Sequence, residues 1–289
     1  MTRFARAAAY LLFIALSAAA PARASDDCLA PAQVRDADVQ RNAGHLAGLC
    51  LSALDFEENG LAWRLTLIEN TGQPDGPTIY LLHDNEDEAF DTALYGVRKY
   101  GGKLIAVEAQ DGREFRGQDP NRNFGMSKKT TASCADMKTR PAPLFTQFLL
   151  DLRHPRIPFI LTLHNNADGH SGNGGSGGIS AARKSAVMTG MMAKGDEDDA
   201  ILLAGRQPYE AEKGAQRTAG FFLERGINVI YEHVTPERND CSFSNYVVLN
   251  GLGEYFNIEA QHRHLEQQKH MLDQLMTFHR IRVRDRSVR

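Results

Sequence analysis

Two histidines and a glutamate carry the strongest chemical signal in the sequence. His83 and Glu86 stand three apart in Leu82-His83-Asp84-Asn85-Glu86, and His164 heads the segment Leu163-His164-Asn165-Asn166. An H-x-x-E pair at a strand-to-helix turn can aim an imidazole and a carboxylate at one point. Two imidazoles and a carboxylate, with a fourth position open to water, make a catalytic zinc site. The imidazoles disfavour ions such as calcium that take oxygen alone. Each segment is weak by itself. H-x-x-E pairs occur by chance, and a histidine ending a buried strand also serves as a polar plug bonded to the backbone.

A third segment, Asp119-Pro120-Asn121-Arg122-Asn123-Phe124, is preceded by Arg113 and Arg116. A loop guanidinium can grip a carboxylate with two parallel hydrogen bonds. An isolated DPNRNF reads better as a structural turn with a solvated arginine.

The elements that must position these residues alternate between strand and helix. Leu61 to Glu69 alternates as a strand, and a Gly/Pro-rich turn from Thr71 to Pro77 leads to the apolar strand Thr78 to Leu82. His83 sits where that strand ends. Glu86 to Tyr100 has helical periodicity, with Phe90, Leu94 and Val97 on one face and acids in the first turn. Strands follow at 103–109, 157–163, 227–231 and 255–260, and helices at 144–152, 214–225 and 262–280. His164 again falls at a strand end, and the carboxyl ends of strands are where open α/β sheets bind ligands. The order predicts an α/β fold, a mixed twisted sheet with helices on both faces.

In their order, HDNE, DPNRNF and a strand ending in His164 resemble the zinc carboxypeptidase superfamily. That superfamily takes in carboxypeptidase A-like enzymes, murein-tripeptide peptidases and the succinylglutamate desuccinylase/aspartoacylase branch. The resemblance covers roughly residues 76–265. It implies that His83, Glu86 and His164 bind one zinc ion and that Asn121 and Arg122 bind the substrate carboxylate. It implies that Arg113 or Arg116 polarises the scissile carbonyl. The catalytic glutamate of the superfamily lies on a late strand. Tyr255-Phe256-Asn257-Ile258-Glu259 matches that context with Glu259 as general base, and Glu254 and Glu232 compete for the role. Tyr246 is the candidate for the superfamily's mobile tyrosine. The interval from Glu86 to Asn121 is short, nearer the acylase branch, and Asn165-Asn166 replaces the usual pair after the third ligand.

The start of the chain places this chemistry. Arg3 and Arg6 precede an uncharged, mostly apolar run, Ala7 to Ala20, and Ala22-Arg23-Ala24 offers a cleavage site. This is the layout of a secretory signal peptide cut after Ala24, and the run is too short to span a bilayer. Cleavage removes three arginines and no acids. It leaves a chain more acidic than the full-length net charge of −3. No basic field remains to grip nucleic acid, and no later run is long enough to cross a membrane. Export favours disulfides, and Cys28–Cys50 and Cys134–Cys241 are the expected pairs among the four cysteines. The expected organisation is a signal peptide at 1–24, a disulfide-tied segment at 25–55 and a catalytic domain at 56–289.

Together these readings predict a periplasmic or secreted zinc hydrolase of the metallocarboxypeptidase type. Its substrate would be a peptide with a free terminal carboxylate. The stem peptides of peptidoglycan are the abundant candidates in that compartment. Two alternatives stand beside it: a deacylase of N-acyl amino acids, and a zinc- or peptide-binding domain without turnover. Residues 169–178 (GHSGNGGSGG) hold six glycines in ten positions and form either a plain surface loop or a flap over the site.

Overall fold

A computed structural model describes residues 23–24, 28–124, 142–170, 178–181, 198–285 and 287–288. The fold is the α/β architecture expected. Ten strands form one mixed sheet: β1 (Arg23–Ala24), β2 (Cys50–Glu58), β3 (Leu61–Asn70), β4 (Thr78–Leu81), β5 (Gly102–Val107), β6 (Phe159–Asn166), β7 (Gly178–Ser180), β8 (Ala200–Gly205), β9 (Asn228–His233) and β10 (Glu254–Gln261). Their spatial order is β1-β2-β3-β5-β4-β6-β10-β8-β9-β7. The described helices are α1 (Ala37–Arg41), α2 (Asp87–Tyr100), α3 (Pro143–Asp151), α4 (Lys213–Leu223), α5 (Phe243–Asn250) and α6 (Leu265–Phe278).

The four central strands, β5, β4, β6 and β10, run parallel, so their carboxyl ends gather at one edge. From β4 the chain crosses through α2 to β5 on one side. It then returns to β6 on the other. The crevice between β4 and β6 is therefore the point where strand order reverses, and ligands bind there in open α/β sheets. The antiparallel strands β2 and β3 extend the sheet on one flank.

Side-chain alternation along the strands builds two cores. Ile79, Leu81, Leu161, Leu163, Phe256 and Ile258 point to one face, against α2, α4 and α6. Tyr80, Leu82, Ile160 and Tyr255 point to the other, against Phe145 and Leu149 of α3 and Phe243 and Val247 of α5. The helix α2 follows from its own sequence: Asp87 and Glu88 complement its N-terminus and Arg98 and Lys99 its C-terminus. It ends at Gly101 and Gly102, both at positive φ, where a side chain would be strained.

Most expected elements stand within a few residues of their predicted bounds. Five went unread: β1, β2, β7, β8 and α5. β2 runs across residue 55 and pairs along its length with β3, so the N-terminal segment is part of the same sheet. Cys28 and Cys50 form the expected disulfide, with Cα atoms 4.9 Å apart. Cys134 of the second expected pair lies outside the described residues. So do residues 1–22 and 25–27, which hold most of the expected signal sequence, and 171–177 of the glycine-rich loop. Among the described residues no helix is long and apolar enough to cross a membrane. The end of α6 brings one histidine into the core. His279 stacks on Phe159 at 4.2 Å and packs edge-on against Phe256, and burial pushes its pKa down to about 4.

Candidate metal centre

β4 ends at Leu81, and the chain bends through Leu82 so that His83 enters the crevice. Glu86 sits at the residue before α2, and His164 lies near the end of β6. All three are buried, with residue exposures of 4% or less. His83 Nδ1 is 2.8 Å from Glu86 Oε1, His164 Nδ1 is 2.8 Å from Glu86 Oε2, and the two Nδ1 atoms are 3.1 Å apart. The three side chains thus offer ligand atoms that all lie within 4.8 Å of one another, the group among the described residues able to hold a metal ion.

The donor set fits zinc: two imidazole nitrogens and one carboxylate, the composition of a catalytic site with an open position. A second shell supports the fit. His83 Nε2 meets Asp119 Oδ1 at 3.0 Å. A proton on Nε2 donated to that carboxylate leaves the Nδ1 lone pair facing the centre, the arrangement that orients metal-binding histidines. Asp119 is held in turn, its Oδ1 accepting from the Asn121 N–H at 2.8 Å. Asp119 heads DPNRNF, and its sequence context alone assigns it no role. The signal was its placement in a loop following a strand parallel to β4.

Electrostatics follow from these contacts. Burial opposes charge on Glu86, but the imidazoles of His164 and His83 outweigh it and hold the carboxyl well below the usual range. Burial also disfavours charge on His83, and the carboxylates of Glu86 and Asp119 outweigh that and raise it to about 9. A proton or a metal ion can satisfy the same converging donors, and they compete.

The other expected residues fall around this centre unevenly. Arg113 reaches it: its guanidinium is 3.4 Å from His83 Nδ1 and 3.7 Å from Glu86 Oε1. Arg116 does not; it lies over the Phe115 ring at 5.5 Å from the centroid. Parallel pairing of β6 with β10 sets Glu259 directly beside His164. Glu254 lies at the opposite end of the same strand and is exposed. Both oxygens of Glu259 meet asparagines: Asn257 Nδ2 donates to Oε1 at 2.9 Å, and Asn166 Nδ2 approaches Oε2 at 3.5 Å. Asn121 bridges to α5, its Oδ1 accepting from the Phe243 N–H at 3.0 Å. Arg122 is 3.4 Å from Asp240. Tyr246 packs on Phe124 at 6.1 Å, and Tyr255 instead faces the site, its hydroxyl 2.7 Å from that of Thr162.

These side chains line one cavity of about 470 Å³, which includes His83, Glu86, Arg113, Asn121, Arg122, His164, Tyr255, Asn257 and Glu259. His170 and His262 reach its rim; the sequence placed His262 on the last helix, but α6 begins at Leu265.

No family model matches the sequence, and no curated protein matches it. Among solved structures it is similar to a variant of the cell shape determinant protein Csd4 from Helicobacter pylori. They share 15% identity and a TM-score of 0.44 over 77% of this chain and 57% of that one. Tripeptide-bound Csd4 gives 15% identity and a TM-score of 0.44 over 78% of this chain and 58% of that one. An aspartoacylase family protein from Mesorhizobium loti gives 13% identity and a TM-score of 0.42 over 83% of this chain and 70% of that one. The chain therefore spans little more than half the length of the Csd4 structures. In its HDNE and DPNRNF segments and its mixed sheet, the chain resembles the zinc carboxypeptidase superfamily.

Proposed function

We propose that this protein is an exported zinc-dependent metallocarboxypeptidase that hydrolyses an amide next to a free terminal carboxylate. The observation that carries the reading is the convergence of His83, Glu86 and His164 at the end of parallel strands, with Glu259 in register beside His164. His83, Glu86 and His164 would hold the ion. Zinc bound there supplies Lewis acidity toward a carbonyl oxygen and toward water.

The chain's own residues do the rest. Glu259 takes a proton from the attacking water and returns it to the leaving amine. The contacts from Asn257 and Asn166 keep its carboxylate turned for that transfer. Arg113, beside the metal ligands, is the guanidinium that would face the developing oxyanion; Arg116 lies over Phe115. Arg122 and Asn121 hold the terminal carboxylate of the substrate, which limits cleavage to the last residue. Asp119 keeps His83 in its metal-binding tautomer. Export after Ala24 would put the enzyme where peptidoglycan stem peptides supply such termini.

The short interval from Glu86 to Asn121 favours a second reading, deacylation of N-acyl amino acids. Mass spectrometry of stem peptides and N-acyl amino acids incubated with the zinc-loaded protein separates the two. Release of a single C-terminal residue supports the carboxypeptidase, and release of an acyl group from an N-acyl amino acid alone supports the deacylase. If stoichiometric zinc is bound and neither substrate is cut, the domain binds without turnover.

A further inference from the structure

The ten residues after His279 hold five arginines and one acid, in a chain whose net charge is −3. Arg280, Arg282 and Arg284 are exposed, and none of the three forms an ion pair among the described residues. Val283 stands between the last two. At 40% exposure it is the one large hydrophobic side chain exposed among the described residues.

The fold clamps this segment. Arg280 takes φ 56° after α6, and the Ile281 N–H donates to the Met276 carbonyl at 2.8 Å, a helix stop that usually employs glycine. Ile281 and Val288 pack against the core. The N–H groups of Arg284 and Asp285 both donate to the Lys99 carbonyl, at 2.7 and 3.2 Å, so the segment crosses from the end of α6 to the last turn of α2. Arg98 and Lys99 already complement the C-terminus of α2, which needs no further cation. The one acid, Asp285, is occupied locally: its Oδ1 accepts from the N–H and hydroxyl of Ser287. Exposed Arg225 extends the row, its guanidinium 3.6 Å over the Phe221 ring, which meets Phe278 at 5.1 Å.

This edge is the far one from the metal centre. His279, next to the segment, stacks on Phe159 at the start of β6, whereas His164 lies near the other end of that strand. Along α2, Glu86 precedes the helix and Lys99 is in its last turn, about 20 Å apart at ~1.5 Å per residue.

We propose that Arg280, Arg282, Val283 and Arg284, with Arg225, form a docking surface for an anionic phospholipid bilayer. Each guanidinium can bind a headgroup phosphate through two parallel hydrogen bonds. Val283 enters the headgroup layer between them. A soluble polyanion would use the arginines and leave Val283 in water, so the exposed aliphatic side chain favours the bilayer. The clamp holds the row in place before binding, so little chain freedom is lost on docking. The rest of the chain is acidic and is repelled by the same surface, which sets the orientation. The basic edge meets the bilayer, and the cavity of the metal centre opens away from it.

The test uses the exported chain beginning at Ser25, so that the apolar run Ala7 to Ala20 contributes nothing. Co-sedimentation is measured with vesicles of phosphatidylcholine alone and of phosphatidylcholine mixed with phosphatidylglycerol, without substrate, so the outcome is independent of the hydrolase reading. Binding is expected on the anionic vesicles only and is lost in high salt. Each arginine contributes about fivefold at such a surface, so Arg280→Gln, Arg282→Gln and Arg284→Gln together should weaken binding about 100-fold. Val283→Ser should weaken it about fivefold and leave retention on heparin unchanged. Melting temperature checks the fold of each variant. If the triple variant does not fold, Arg282→Glu alone, at an exposed position outside every helix and strand, should weaken binding at least about tenfold. Equal binding to both vesicles, binding to neither, or binding unchanged in the arginine variants would overturn the proposal. Retention on heparin without vesicle binding would overturn it too, and make the partner a soluble polyanion.

Discussion

His83 and Asp84 are adjacent in sequence and face opposite carboxylate clusters. On the His83 side, Glu86 lies between two imidazoles, Asp119 bonds the far nitrogen of His83, and Arg113 stands over them. On the Asp84 side, Asp36, Asp38 and Glu108 gather near the end of β5, and Asp84 Oδ2 accepts the backbone N–H groups of Ala109 and Asp111. The carboxyls of both clusters are buried or half-buried, yet they differ in charge. Glu86 stays ionised because the imidazoles outweigh burial. Burial pushes Asp38 up to about 8 although Arg41 pulls the other way, since that guanidinium also serves Asp87 and Asp91. Burial and a hydrogen bond to Asp36 push Glu108 up to about 9. The difference teaches that burial alone turns acids into proton stores at this sheet edge. Nitrogen bases are what convert one cluster into a seat for a metal.

Breaking the nitrogen side has the largest expected effect. His83→Ala or His164→Ala should lose stoichiometric zinc and all hydrolysis, read by metal analysis of purified protein against wild type. Glu259→Gln should keep the zinc and lose activity by about 10²–10⁴ in kcat; zinc retained with unchanged kcat would remove Glu259 from the mechanism. Asp119→Asn is milder, because it removes a partner of a ligand rather than a ligand. Zinc affinity should fall by roughly 10–100-fold in competition with a chelator.

The acidic side gives the smallest effect and a distinct sign. A carboxyl whose pKa is raised by folding contributes stability below about pH 4, and that stability is lost as pH rises through its folded value. The metal-free protein should therefore melt at lower temperature at pH 9 than at pH 6. Glu108→Gln, which stays neutral, should flatten that slope, each kcal/mol recovered raising the midpoint by about 2–4 °C. A slope equally steep in the variant would mean that Glu108 is ionised throughout.

What could be read from sequence followed from the kind of signal. The ligand triad was legible because each member stands at a strand or helix boundary set by local patterning: Thr78 to Leu82 ends at His83, and an apolar run ends at His164. Glu259 was harder, since Glu254 and Glu232 also flank apolar strands. Only the register of β10 on β6 shows which of the three stands beside His164. Arg113 and Arg116 were indistinguishable in sequence because loop geometry sets where each side chain goes: Arg113 lies by His83 and Glu86, and Arg116 over Phe115. Asp119 was missed because a partner of a ligand has no spacing rule of its own. The β8 strand was missed because Ala200 to Gly205 is a short apolar run with no alternation to separate strand from helix. The N-terminal segment hid its part in the sheet, since β2 pairs with β3 through backbone contacts that composition does not reveal.

The central claim is hydrolysis at a metal centre directed by a terminal carboxylate. The most direct measurement compares one peptide with a free C-terminus and the same peptide amidated, incubated with zinc-loaded protein and followed by mass spectrometry. The account predicts release of the last residue from the free acid and a rate at least about 100-fold lower for the amide, because Arg122 is then left without its partner. Equal cleavage of both peptides, or cleavage at an internal bond, would contradict it.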